Sequence, residues 1–246
     1  MTIGISSASA SGEDNLVVKN VILVHGAWAG ASSWNKVIPL LEAAGLHAAA
    51  VRNPLTGVAD DVATTKREIA LADGPVILVG HSYGGAVITE AGNDPKVAGL
   101  VYVAAFAPDA GQAVGDLGQE FPPSPGLAEI RPDADGFLKL TPKGIEEFFA
   151  PDLPIAERKI LWATQGPVSG AALGGKISAA AWRTKPTWYI VAGNDQMIAP
   201  GLERAFSSAM NAETETLPTS HVAMLVLPND VARVIIRAAS TKATTK

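Results

Sequence analysis

The sequence predicts an α/β fold: a mostly parallel sheet, doubly wound, with a helical cap inserted after the strand that follows the central helix. Three observations carry this. Short apolar runs alternate with stretches of helical spacing. One run, Val76-Ile77-Leu78-Val79, passes at once into Gly80-His81-Ser82-Tyr83-Gly84-Gly85 and then a helical pattern. The alternation lapses between residues 108 and 185 and then resumes.

At 246 residues the chain is long enough for one large domain with a sizeable core. Hydrophobic residues make up 48% and charged residues 17%, so the interior is amply supplied. A net charge of −5 without a basic run argues against nucleic acid or an anionic membrane surface as partner. The lack of cysteine removes disulfides and thiolate metal sites. No stretch reaches the length of a membrane-spanning helix. Met1 to Ala10 lacks the basic start and apolar core of an export signal, so residues 1–14 are expected to form a flexible leader and the cytoplasm is the default location.

From Leu16 the pattern becomes structural. Val21-Ile22-Leu23-Val24 is the first strand and ends in His25-Gly26-Ala27-Trp28. Ser32-Ser33 offers an N-cap for a helix over Trp34 to Glu42, closed near Gly45. His47 to Val51 is a short strand stopped by Asn53-Pro54. Asp60-Asp61 opens a helix that Asp73-Gly74-Pro75 ends. The central strand follows, then its helix, then a strand over Val97 to Ala105. Residues 108–185 hold Pro122-Pro123-Ser124-Pro125-Gly126, helical pieces at Ile145 to Phe149 and Ile155 to Trp162, and no recognisable strand. They are expected to cap the carboxyl edge of a core formed by residues 15–107 and 186–240. That core closes with a strand at Trp188 to Ala192, a helix over Pro200 to Met210, a strand at Glu213 to Leu217 and a helix over Asn229 to Ala239. Residues 241–246 read as a frayed tail.

A strand that reverses into a helix within about five residues needs small residues where the backbones pass, and it forces the apex residue outward. Ser82 is that apex, which marks it as a nucleophile. A serine hydroxyl needs a base, usually histidine. Of the four histidines, His81 must point away from its neighbour, His47 lies in an ordinary strand, and His25 is placed to orient a loop. His221 remains, on a loop before the last helix, where it can reach the serine turn. The imidazole needs a carboxylate. Asp195 follows an apolar strand in Gly193-Asn194-Asp195, and the order Ser82, Asp195, His221 suits this architecture. Asp109, after the neighbouring strand, is the rival. The backbone N–H groups of Tyr83 and Ala27 are the candidate oxyanion donors, with Gly26 leaving room for a carbonyl. Trp28 either shapes the pocket or anchors its loop. Scattered histidines and the lack of a Gly-x-Gly-x-x-Gly after a strand imply no metal and no dinucleotide, so no cofactor is expected.

These motifs resemble the α/β-hydrolase superfamily, and within it the compact group of plant methyl-ester esterases, hydroxynitrile lyases and bacterial esterases. The resemblance is carried by His25-Gly26-Ala27-Trp28 with Ser33-Trp34, by Gly80 to Gly85, by Gly193-Asn194-Asp195 and by Ser220-His221-Val222-Ala223-Met224-Leu225. It implies an α/β-hydrolase fold with the catalytic triad on Ser82, Asp195 and His221, the oxyanion amides on Ala27 and Tyr83, and a pocket between cap and triad. Plant-type lyases carry a threonine where Gly26 stands and a lysine where Val222 stands, which places this chain on the esterase side.

The expected activity is that of a serine hydrolase cleaving a small, largely apolar ester. A serine at the turn disfavours haloalkane dehalogenase and epoxide hydrolase chemistry, which use a carboxylate nucleophile. The alternatives are carbon–carbon bond cleavage or formation on the same triad, and a non-catalytic small-molecule receptor. Phe106, Phe148, Phe149, Trp162 and Trp182 are candidates to line the apolar pocket with Gly26 and Trp28, or else to pack the cap onto the core. Oligomeric state is not readable from the sequence.

Overall fold

The computed structural model describes residues 16–241. The expected leader lies outside the described residues, as does the expected tail beyond Thr241. In chain order the first half contains β1 (Asn20–Val24), α1 (Ile38–Ala43), β2 (His47–Val51), α2 (Val58–Leu71), β3 (Val76–Ser82), α3 (Gly84–Ala91) and β4 (Val97–Ala105). A long segment follows with β5 (Ile130–Pro132), β6 (Phe137–Leu140), a π-helical turn at Gly144–Phe149, α4 (Ile155–Thr164), β7 (Val168–Ser169) and α5 (Gly170–Gly174). The chain ends with β8 (Thr187–Ala192), α6 (Pro200–Ala209), β9 (Glu213–Leu217), α7 (Ala223–Val226) and α8 (Pro228–Ser240).

Six strands form one sheet in the order β2-β1-β3-β4-β8-β9, every neighbouring pair parallel. β3 is buried at every residue, as are the apolar residues of β1, because helices cover both faces. The edge strand β9 reads Glu213-Thr214-Glu215-Thr216 and is largely exposed. Arg233 and Arg237 of α8 pair with its glutamates at 2.5 and 2.7 Å, charging an edge that another chain could otherwise extend. α8 faces inward with Val231, Val234, Ile235 and Ala238, one helical stripe.

Topology positions the site. From β1 the chain runs outward to β2, then crosses back over β1 to β3, so the loops leaving β1 and β3 diverge. A crevice at the carboxyl ends results, the usual ligand position in open α/β sheets. Val24 stands in register with Gly80, so the loop beginning at His25 emerges beside Ser82.

Two expectations need correction. The helix expected over Trp34 to Glu42 is instead a 3-10 turn at Ala31–Trp34 followed by α1, and neither has a side-chain cap. Pro39 has no N–H and fits only a first turn, which moves the start to Ile38. The segment expected to be helical without strands also carries a three-stranded antiparallel sheet, β5-β6-β7. Its strands are too short for alternation to register, and β5 ends in Pro132. Gln165 completes it like a strand residue: its side-chain amide donates to the Leu140 carbonyl at 3.1 Å and accepts the Leu140 N–H at 2.9 Å. No helix among the described residues is long and apolar enough to cross a membrane.

Candidate active site

Ser82 is the last residue of β3 and has φ +54°, in the left-handed region that non-glycine residues rarely occupy. Such a conformation costs about 1–3 kcal/mol and persists only where the surroundings enforce it. The enforcement is steric. A Cβ on Gly80 would lie 2.6 Å from the Gly84 carbonyl oxygen, so only glycine lets the strand and α3 pass.

The hydroxyl turned out by this elbow meets His221. His221 Nε2 lies 2.8 Å from Ser82 Oγ, and Nδ1 lies 2.6 Å from Asp195 Oδ2. All three residues are buried. The other Asp195 oxygen, Oδ1, accepts the N–H groups of Met197 at 2.6 Å and Ile198 at 3.0 Å. The carboxylate therefore has one edge locked to backbone and the other to imidazole. That sets Nδ1–H as donor and leaves Nε2 free to accept from serine. Asp109, the rival carboxylate, points elsewhere. It is bound by the Arg183 guanidinium, which holds it below the ordinary aspartate range.

Contacts from three directions hold His221. His81, next to Ser82 in sequence, faces the other way and donates from Nε2 to the His221 carbonyl at 2.9 Å. Phe149, fully buried, places its ring 5.2 Å from the imidazole. Asp152 takes the Ser220 N–H at 2.7 Å and the Ser220 hydroxyl at 2.5 Å, so the segment after β4 clasps the histidine loop.

His25 orients the loop after β1. Its Nδ1–H donates to the Gly26 carbonyl at 2.8 Å and its Nε2 accepts the Asn53 N–H at 3.0 Å, which requires the neutral ring. Burial pushes both His25 and His81 below the ordinary histidine range, His81 strongly. Below pH 6.5, the ordinary value, the unfolded chain binds protons that the fold refuses, so this contribution to stability is present above 6.5 and lost as pH falls. Asp61 and Glu203, raised by burial, act in the opposite sense, so the effect is best read as a difference. Urea unfolding of wild type and H81Q, whose amide retains a donor without titrating, should show wild type losing up to about 1.4 kcal/mol more per pH unit below that point.

Ala27 and Tyr83 line, with Ser82, the cavity described below. Tyr83 is the N-cap of α3, where amides have no partner within the helix. Its hydroxyl donates to the buried Asp61 at 2.6 Å, and Asp61 also accepts the Leu55 N–H at 2.9 Å. Gly26 carries a sharp constraint: a Cβ there would sit 2.5 Å from the Ser82 Cβ. G26A must displace the loop or Ser82, and turnover should fall by about 100-fold or more while the folded far-UV spectrum is retained.

Beside Ser82 and His221 opens a cavity of about 220 Å³. Its walls come from the β1 loop (Trp28), the end of β4 (Phe106), the segment after β4 (Val114, Leu117, Phe121, Leu127, Ile130) and the stretch after Asp195 (Met197, Ile198, Leu202). Among the described residues no lysine, arginine, aspartate or glutamate lines it. Of the sequence candidates, Trp28 and Phe106 line this cavity, and Gly26 lies behind Ser82. Trp28 also anchors its loop, donating from Nε1 to the Leu138 carbonyl at 3.0 Å. Phe148, Trp162 and Trp182 do not line it. Phe148 packs over Gly126, Trp162 is exposed, and Trp182 is buried with Nε1 bonded to the Pro108 carbonyl. No motif in the sequence marks Met197 and Ile198, which lie two and three residues after Asp195; that proximity was the available signal.

The fold and this constellation define an α/β hydrolase, and the chain belongs to the alpha/beta hydrolase family, which it matches over residues 21–234. Among particular relatives, it is 28% identical over 258 aligned positions to a pyrethroid hydrolase of Sphingobium wenxiniae, covering 89% of this chain and 87% of that protein. It is 39% identical to methylesterase 7 of Arabidopsis thaliana over 107 residues, 37% of this chain and only 41% of the relative. A solved pyrethroid hydrolase structure aligns with a TM-score of 0.80 at 25% identity, over 92% of this chain and 98% of that one.

Proposed function

We propose that this protein is a carboxylesterase that cleaves a small, neutral, largely apolar ester through an acyl-enzyme on Ser82. The observation that carries the reading is the unbroken hydrogen-bond chain from Asp195 through His221 to Ser82, ending at an uncharged cavity. Ser82 Oγ attacks the ester carbonyl while His221 Nε2 takes its proton. Asp195 stabilises the imidazolium. The amides of Ala27 and Tyr83 receive the oxyanion, and their loss would cost a few kcal/mol of transition-state stabilisation. His221 then protonates the leaving alcohol, and water releases the acid by the same steps in reverse. Residues 108–185 serve as the cap that shapes the acyl or alcohol site. The esterases among its relatives support the reaction class.

The cavity argues for the substrate class. At about 220 Å³ it falls below the 300–1,000 Å³ of drug-sized pockets, which favours small groups. Its uncharged walls offer a carboxylate no partner, and desolvating an unpaired ion costs several kcal/mol. The test is a p-nitrophenyl ester series from acetate upward, with the butyrate set against the hemisuccinate, which exchanges the terminal methyl for a carboxylate. The butyrate should exceed the hemisuccinate by about 100-fold or more in kcat/KM. Equal rates would refute the neutral-ester reading, and no hydrolysis of any member would refute the esterase.

A further inference from the structure

Glu203 is a fully buried glutamate that the reaction above does not use. It lies in the first turn of α6, where a carboxylate ordinarily faces solvent and complements the helix dipole. This one turns inward instead. Its Oε2 accepts the Ala192 N–H at 3.0 Å, at the end of β8. Its Oε1 is buried and faces no donor. The group beside it is the Asp195 carboxylate, whose Oδ1 and Oδ2 are already committed to two amides and to His221. The other titratable or charged groups acting on Glu203 are Tyr189 from β8, whose hydroxyl is bonded to the Ala105 backbone, and Arg204, an exposed neighbour on α6. Among the described residues the cation acting on Glu203 is the exposed Arg204, and two like charges in contact cannot readily share a buried site.

We propose that Glu203 is a positioning residue for Asp195, a carboxylic acid whose Oε1 hydroxyl donates to the aspartate. The inference rests on the triad role proposed for Asp195. The extra bond satisfies Oε1 and helps hold the aspartate in place. Through that bond it also spreads the Asp195 charge and so tempers the basicity of His221. Burial and the Asp195 charge both drive Glu203 well above the ordinary carboxylate range, consistent with a proton retained at neutral pH.

The test compares wild type with E203Q, whose amide can accept from Ala192 and donate to Asp195, and with E203M, similar in length but without polar atoms. E203M should lose roughly tenfold to 100-fold in kcat/KM, and its acid limb should move to higher pH, because an unassisted Asp195 both holds a proton more readily and raises the His221 basicity. E203Q should recover most of the rate and keep the wild-type acid limb. A packing role alone would lower rate or stability without moving that limb. An unmoved acid limb in E203M, or an E203Q as impaired as E203M, overturns the proposal. Carboxyl-13C NMR of glutamate-labelled protein decides it without turnover or E203M: one glutamate should stay protonated through neutrality and vanish in E203Q. Ordinary titration of every glutamate would overturn it. Failure of the esterase reading would be seen separately, as wild type that hydrolyses no ester.

Discussion

S82A should lower kcat on the best p-nitrophenyl ester by about 10⁴- to 10⁶-fold and leave the melting temperature close to that of wild type. The first half follows from chemistry. His221 and Asp195 keep their geometry in the variant, but the proposed nucleophile is gone from the elbow, and the residual rate would come only from binding and the proposed oxyanion donors. The second half follows from packing. The Ser82 hydroxyl bonds to His221 alone, and its removal leaves the positive φ and the surrounding glycines as they were. A variant that kept wild-type turnover would remove Ser82 from the mechanism. One that failed to fold would show the hydroxyl to be structural.

D195N should be the next most damaging change, at about 10⁴-fold in kcat. Asparagine can present its NH₂ where Oδ2 now accepts from His221, which would force the ring into the tautomer that cannot take the serine proton. Two backbone amides at Oδ1 make this orientation the favoured one, because they require an acceptor there. D109N, by contrast, should leave kcat within about twofold of wild type and cost no more than about 1 kcal/mol of stability, since it breaks only a surface ion pair with Arg183. Equal damage from the two substitutions would mean that Asp109 reaches the site in solution.

The contrast between these aspartates also marks what can be read from sequence. Both follow sheet strands, and only the partners distinguish them: a guanidinium for Asp109, an imidazole for Asp195. The place of Ser82 at the apex was legible because it is set locally; a strand, three small residues and a helix force one apex whatever the rest of the chain does. The central strands were legible for a similar reason, since burial on both faces leaves an unbroken apolar run. The cavity was not legible. Its walls come from Val114, Leu117, Phe121 and Leu127, in a segment without periodicity, while the conspicuous aromatics Trp162 and Trp182 went to the surface and to the seam between segments. Glu203 was hidden by resemblance to an ordinary helix start, because a carboxylate in a first turn is usually solvated. Only its burial against Asp195 sets it apart.

The central claim is that Ser82 becomes covalently acylated. Its most direct test is the intact mass of wild type and S82A after exposure to diethyl p-nitrophenyl phosphate, followed by peptide mapping. A single diethylphosphoryl adduct on the peptide containing Ser82, absent from S82A and appearing in step with loss of ester hydrolysis, is the predicted result. Hydrolysis that continues in protein fully modified at Ser82, or an adduct on another residue that abolishes activity, would contradict it.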